Sequence, residues 1–358
     1  MAEDEHLPIK VDSFNINRLS LESIESMKPI DAIRRRPGMY IGDPDERGLE
    51  QLIYELVANG IDQFLAGQVT CVSIQIGDAA ITVSDDGPGL PFDLPSKLIE
   101  GQSQAEEWLS YHHNSPTADG HAPHVHISRF GVGLVAIVAL SESLEVISYR
   151  RERCYRQRYV RGLAEAPPHC EAAPGKGLTF RFTPDPTIFH DHRVRLPVLR
   201  RRLFDTVHLI PGLAIELNDE RFHAPGGLSD YARFLTAEPE HYYHSTPPFL
   251  HARAKLEEAT IEVALCGETK GATTYRSWCN GSHTCLHGSH VDGLRDALRN
   301  FQWKPITALV HVLMKTPRFA GPTRDQLESD AARAWVRNAV RAELRAQGFQ
   351  QAKKKASK

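Results

Sequence analysis

The sequence predicts an α/β fold in two domains. Segments with helical spacing of apolar residues alternate with short runs of strand-like alternation. The composition, 41% hydrophobic and 24% charged over 358 residues, supplies a sizeable core. His223-Ala224-Pro225-Gly226-Gly227 punctuates the chain and divides it into a longer and a shorter part. Lys plus Arg is 42 against 45 for Asp plus Glu, a formal charge of −3. That balance excludes nucleic-acid binding by bulk charge alone and an acidic disordered chain. The charge is uneven: six basic residues and one acidic residue lie between Arg341 and Lys358.

Six scattered cysteines form no short disulfide framework, which favours reduced thiols and a cytoplasmic protein. Residues Met1 to His6 are acidic and lack an apolar core, so they are not read as a signal peptide. The longest apolar stretch, Phe130 to Leu140, has 11 residues and is too short to span a membrane.

In chain order, residues 1–25 are polar and read as an arm. From Leu49 to Leu65 the apolar residues fall at helical spacing, with Gly67 as a C-cap. Val69–Ile76 and Ala80–Ser84 read as strands. Residues 92–125 are polar and rich in His, Ser and Pro, and read as a mobile loop or lid. Gly131–Leu140 reads as a buried helix. Strands follow at Leu144–Tyr149, Cys154–Val160 and Leu178–Phe182, then an arginine-rich helix from Arg195 to Val207. Beyond the punctuation come a helix (Leu228–Leu235), a strand (Ala259–Cys266), a polar turn-rich run (Ser277–His290), a helix (Val291–Asn300), a strand (Ile306–Met314) and a terminal helix (Asp330–Gln347). The domains are therefore set at 26–224 and 225–346, after the arm and before a basic tail, 347–358, read as disordered.

Three features fit one chemistry. Glu55, Asn59 and Asp62 lie at i, i+4 and i+7, on one face of the first long helix. Asp85-Asp86-Gly87-Pro88-Gly89 follows a strand, so a carboxylate can accept from an exocyclic amine while glycine backbone approaches a flat ring. Arg129-Phe130-Gly131-Val132-Gly133 opens a helix, where glycine-rich N–H groups form a phosphate cradle. Alone, these are a solvated helix face, a turn and a weak Gly-x-Gly. Their order and spacing lift them.

The runs Arg35 to Gly42, Tyr54 to Asp62 and Asp85-Asp86-Gly87-x-Gly89-Leu90-Pro91 resemble the ATPase region of the bacterial DNA gyrase B and topoisomerase IV E proteins, which are Bergerat-fold (GHKL) ATPases. Asn280 to Thr284 and Gly288 to Leu294 are similar, in degenerate form, to the family's N-N-I-N-T…G-G-T-H-x-x-G-F motif. Phe319 to Leu327 resembles the transducer loop that carries Q-T-K. The resemblance covers residue 23 to residue 345. It implies an α/β sandwich: a Bergerat ATP-binding domain followed by a smaller transducer domain resembling ribosomal protein S5 domain 2.

The resemblance also implies roles. Glu55 is the general base and Asn59 the Mg²⁺ ligand. Asp62 supports the site. Asp85 binds the adenine amine, with Gly89, Leu90 and Pro91 backing the ring. Arg129, Phe130, Gly131, Val132 and Gly133 line the phosphates, Thr179 lies near the adenine, and Arg324 is a catalytic cation for the γ-phosphate. The cofactors implied are ATP and Mg²⁺.

Several positions depart from the family pattern. Gln63 and Pro88 replace an acid and an arginine that form an ion pair, and that arginine engages coumarin antibiotics. Ile127 to Gly133 stands where the family has G-G-L-H-G-V-G. Leu178 follows Gly177 where the family has threonine, and Thr179 comes one place late. Pro322-Thr323-Arg324 replaces Q-T-K.

The implied function is an ATP-hydrolysing clamp of the type II topoisomerase class that homodimerises on binding ATP, with Ile24 of the arm packing on the partner protomer. No TOPRIM signature or breakage tyrosine subunit is present, so DNA handling is expected of a separate subunit, with weak DNA contact by this chain. A gyrase mimic or decoy without turnover, and a MutL-type switch, are the alternatives. The run Cys279, His283, Cys285, His287 and His290 lacks zinc-ligand spacing. Arg193, Arg195 and Arg200 to Arg202 read as a solvated helix face, with DNA contact the sharper alternative.

Overall fold

The computed structural model describes residues 28–44, 46–111, 133–190, 193–237, 248–299, 301–321 and 323–349. The expected arm, Ile24, the glycine-lid residues 127–132 and tail residues 350–358 lie outside them.

Helices α1 (Pro29–Arg35), α2 (Gly38–Ile41) and α3 (Glu46–Leu65) open the described chain. The first sheet has nine strands: β1 (Cys71–Ile76), β2 (Ile81–Asp85), β3 (Ser141–Arg150), β4 (Arg153–Val160), β5 (Leu163–Ala164), β6 (His169–Ala172), β7 (Gly177–Pro184), β8 (Ala214–Leu217) and β9 (Glu220–His223). Their order is β5-β4-β3-β7-β2-β1-β8-β9, with β6 also paired to β4. Among these pairings β1–β8 is parallel and the others are antiparallel.

The pleat sorts the side chains. Val72, Ile74, Ile81, Val83, Leu144, Val146, Phe180 and Phe182 are buried on one face, while alternating neighbours such as Ser73, Thr82, Glu145 and Arg181 remain partly or fully exposed. The buried face is covered by α3, α5 (Gly133–Leu140) and α6 (Leu196–Leu209). Every residue of α5 after Gly133 is buried, as expected of a helix that is apolar all round and enclosed by neighbours. Arg34 staples α1 to its end: the guanidinium donates to the Ala139 carbonyl at 2.6 Å and to fully buried Asp185 at 2.7 Å.

Residues 92–103 run as turns and bends, as expected, but the stretch that follows is not a loop. Gln104–Ser110 forms α4, held by a capping box in which Ser103 N donates to Glu106 Oε2 at 2.8 Å and Glu106 N to Ser103 Oγ at 3.2 Å. Residues 112–125 of the expected lid lie outside the described residues.

The second sheet follows helix α7 (Leu228–Thr236). It contains β10 (Phe249–Lys255), β11 (Ala259–Cys266), β12 (Thr274–Cys279), β13 (Ser282–His283) and β14 (Thr307–Met314), in the order β10-β11-β14-β12-β13, with β12–β14 parallel. Helices α8 (Ser289–Leu298) and α9 (Asp330–Ala346) cover one face, and α7 packs on the other. Strand β11 is accordingly buried on both sides: Ile261, Val263 and Leu265 join the α8–α9 core, while Ala264 and Cys266 join the first core.

Candidate active site

Helix α3 presents Gln51, Tyr54, Glu55 and Ala58 toward a cavity of about 290 Å³, walled also by α6, the β12–β13 hairpin and residues Thr323 and Asp325. Glu55 is 4% exposed. Its carboxylate accepts from Gln51 Nε2 at 2.5 Å, and Gln51 Oε1 accepts from Arg202 Nη1 at 3.0 Å. The Arg202 guanidinium carbon lies 3.3 Å from the Tyr54 ring centroid. Asn59 is half-buried one turn on, and Asp62 is buried beyond it. Gly133, at the start of α5, lies against this stripe: a Cβ there would stand 3.2 Å from Glu55 Cβ and 3.5 Å from its Oε2. The first turn of α5 thus brings backbone amides and the positive end of a helix dipole beside Glu55.

The two adjacent aspartates divide their work. Asp86 accepts from Thr70 N at 2.7 Å, Thr70 Oγ1 at 2.5 Å and Cys71 N at 3.1 Å, with Lys176 at 3.4 Å. Burial raises its pKa, but these partners more than offset that and hold the carboxyl at about 2. Asp86 therefore pins the start of β1 to the end of β2. Asp85 points the other way, into the protein. Burial pushes its carboxyl up to about 6, with neighbouring Asp86 adding to the rise, against hydrogen bonds from Gly87 and Leu178. The Gly87 N–H donates to Oδ1 at 2.9 Å.

Glycine backbone closes around Asp85. Gly177 N donates to the Gly87 carbonyl at 2.7 Å, and a Cβ on Gly177 would stand 2.4 Å from the Asp85 carbonyl oxygen. Gly89 has φ +71°, and a Cβ there would meet Ser148 Oγ at 2.5 Å and the Tyr149 carbonyl at 2.6 Å. Leu90 N donates to Ser148 Oγ at 2.8 Å. Leu90 and Pro91 are buried, so the turn is stitched to β3 and β7.

One expectation is corrected. Thr179 pairs with Ser84, and Leu178 pairs with Asp85. Directly opposed residues share a face and successive ones alternate, so Thr179 lies on the sheet face away from Asp85. Thr323 and Asp325 wall the Glu55 cavity, and the guanidinium carbon of Arg324 between them lies 5.6 Å from the Phe319 ring centroid. Arg129, Phe130, Gly131 and Val132 lie outside the described residues.

Asn280 has φ +47° and clasps the end of β14, its Nδ2 donating to Met314 O at 2.9 Å and its Oδ1 accepting from Met314 N at 2.8 Å. Ser277, Thr284, His287 and His290 form a hydrogen-bonded chain behind it. Among the described residues no group of three or more His, Cys, Asp or Glu is placed to hold a metal.

Gln51, Arg202 and Ser148 were not foreseen from the sequence. Gln51 carried a usable signal, since it continues the Glu55 stripe at i−4.

Residues 44–188, which include α3, β2 and the Asp85 turn, match the family of histidine kinase-, DNA gyrase B-, and HSP90-like ATPases. This segment is a GHKL ATPase domain. The likeness of the chain extends past the GHKL domain. It is 30% identical to the DNA gyrase B protein of Thermotoga maritima over 92% of its own length and 57% of that relative, and 29% identical to the Staphylococcus aureus gyrase B over 91% and 55%. The chain thus spans about half the length of these relatives. The 43K ATPase domain of Thermus thermophilus gyrase B, solved in complex with an aminocoumarin, superposes with a TM-score of 0.71 at 25% identity, covering 88% of this chain and 89% of that one. The fold is shared with gyrase B of Myxococcus xanthus, at TM-score 0.73 and 24% identity over 88% of this chain and 94% of that one. It is shared too with the topoisomerase IV ATP-binding domain of Francisella tularensis, at 0.70 and 23% over 89% and 91%. These matches span both sheets, so the architecture is a GHKL domain followed by a transducer domain.

Proposed function

We propose that this chain binds and hydrolyses ATP, as the nucleotide-gated dimerising clamp of a type II topoisomerase-class assembly. The observation that carries the reading is Asp85: a carboxyl raised by burial, at the mouth of a glycine-lined turn, on the strand that α3 packs against. The Asp85 carboxylate accepts a hydrogen bond from the adenine exocyclic amine, while Gly89, Leu90 and Pro91 back the ring. The first amides of α5 face the phosphates.

A hard divalent cation fits the donor set. Asn59 supplies a half-buried carboxamide oxygen one turn after Glu55 on α3, and Mg²⁺ takes few protein oxygens with phosphate and water completing its shell. Asn59 would hold it, and the ion would neutralise charge on the phosphates. Glu55 orients a water and takes its proton as the water oxygen bonds to the γ-phosphorus. The bond from that phosphorus to the bridging oxygen breaks, and ADP leaves with the electron pair.

Glu55 is placed for this by Gly133 and Gln51. A general base contributes about 10²–10⁴-fold, so Glu55→Ala is expected to bind nucleotide normally and turn over more slowly by that order. Calorimetry and a phosphate-release assay check the pair. Equal turnover removes Glu55 from the mechanism. The expected partners are a second copy of this chain and a separate subunit that handles DNA.

A further inference from the structure

We infer that Arg202 is a positioning residue for Glu55, acting through the Gln51 carboxamide. The inference rests on the reading of Glu55 as general base. Gln51 lies one turn before Glu55 on α3, and its Nε2 donates to Glu55 Oε1 at 2.5 Å. A carboxamide has a donor end and an acceptor end, and its orientation is set by its partners. Arg202 decides it here. A guanidinium only donates, so Arg202 Nη1 at 3.0 Å from Gln51 Oε1 fixes the amide with its NH₂ toward Glu55. With Oε1 held, the other carboxylate oxygen lies toward Gly133 and the start of α5, 3.5 Å from where a Gly133 Cβ would stand. That is the side from which phosphate is approached.

Arg202 is itself fixed. Its guanidinium lies over the Tyr54 ring at 3.3 Å. The Tyr54 hydroxyl pairs with Thr206 Oγ1 at 3.1 Å, and Thr206 Oγ1 donates to the Arg202 carbonyl at 2.8 Å. The relay therefore runs from α6 to α3 with each orientation determined by the one before. Gln51 and Arg202 also line the cavity that meets the β12–β13 hairpin. A displacement of α6 would reach the base without touching nucleotide.

A double-mutant cycle tests this with Gln51→Leu, Arg202→Met and both together. Leu keeps the helix propensity of α3, and Met keeps an apolar stem on Tyr54. Small misplacements of a catalytic group cost up to about 10²-fold. Each single variant is expected to lose about 10- to 100-fold in kcat, with KM and affinity for a non-hydrolysable ATP analogue unchanged. The double variant is expected to be no slower than Gln51→Leu, since Arg202 acts only through Gln51. Arg202→Lys, which keeps charge and stem but not the fork, is expected to share the loss and serves if Arg202→Met does not fold. Losses that multiply in the double variant, or full kcat in either Arg202 variant, overturn the relay. A parent protein without turnover overturns the hydrolysis reading together with the relay. A parent that turns over beside multiplying losses overturns the relay alone.

Discussion

Asp85 couples function to a stability cost. Its folded pKa is raised from 3.8 to about 6, so the folded state binds this proton more tightly than the unfolded one. The stabilisation from that proton is complete below about pH 4 and is lost as pH rises through about 6. Above that, the ionised carboxylate is a burden that Asn removes, and Asn Oδ1 still accepts from Gly87 N. At about 1.36 kcal/mol per unit, Asp85→Asn is expected to gain up to about 3 kcal/mol at pH 8 and little at pH 4. Its ATP affinity is expected to fall by about 1–3 kcal/mol, because the other end of the amide offers a donor to a donor. Thermal melts at the two pH values and calorimetry with ATP check both parts. Unchanged affinity would move the adenine site away from Asp85. At this scale the sequence was legible where a residue type and a turn coincide, as at Asp85 and Gly89. It was not legible where pairing decides. Thr179 and Leu178 differ by one place, and only the β2–β7 register shows which of them stands opposite Asp85.

At the scale of elements, long periodic helices and apolar strands were legible because burial on one face writes itself into the sequence. Helix α4 was hidden in a polar stretch, although Ser103-x-x-Glu106 ahead of Trp108 and Leu109 is a capping-box signature. The arginines around α6 read as a solvated face, and Arg200 and Arg201 are exposed there, but Arg195 at its N-cap grips buried Glu50 of α3 at 2.9 and 3.0 Å and Arg200 pairs with Glu220 of β9. Composition shows the charge but not the acid that meets it from another element. The glycines of the degenerate second-domain motif have a packing role. A Cβ on Gly288 would stand 2.2 Å from Leu327 O, and one on Gly293 would stand 2.2 Å from Arg333 O, where α8 crosses α9. Gly→Ala inside an exposed helix gains about 1 kcal/mol. Gly293→Ala is expected instead to lose about 1–3 kcal/mol through overpacking, measured by thermal unfolding. Gly38→Ala in α2, with nothing within 4 Å of its Cβ, is the control. A Gly293→Ala protein as stable as the parent would show that α8 and α9 can part without cost.

At the scale of the whole molecule, the two sheets meet at the face that carries Glu55. Tyr231 of α7 is fully buried between them: its hydroxyl donates to Asp205 of α6 at 2.5 Å and accepts from Arg276 of β12 at 3.1 Å. Asp205 also walls the cavity that Glu55 enters. Glu55 and the second sheet thus share one polar seam. If residues 1–25 pack on a second copy, each arm serves the same patch on its partner, because a two-fold contact is self-complementary. An arm of that length buries little alone. Nucleotide must complete the surface, and binding and association are then linked, each favouring the other. The expected result is a monomer without nucleotide and a dimer with a non-hydrolysable ATP analogue and Mg²⁺, read by light scattering. Deleting residues 1–25 is expected to abolish the change in mass and leave analogue binding intact, since Glu55, Asn59 and Asp85 all lie beyond the arm. A mass that does not respond to the analogue would sink the clamp reading whatever the rate of hydrolysis. A truncated protein that still dimerises would place the interface on the described domains instead of the arm.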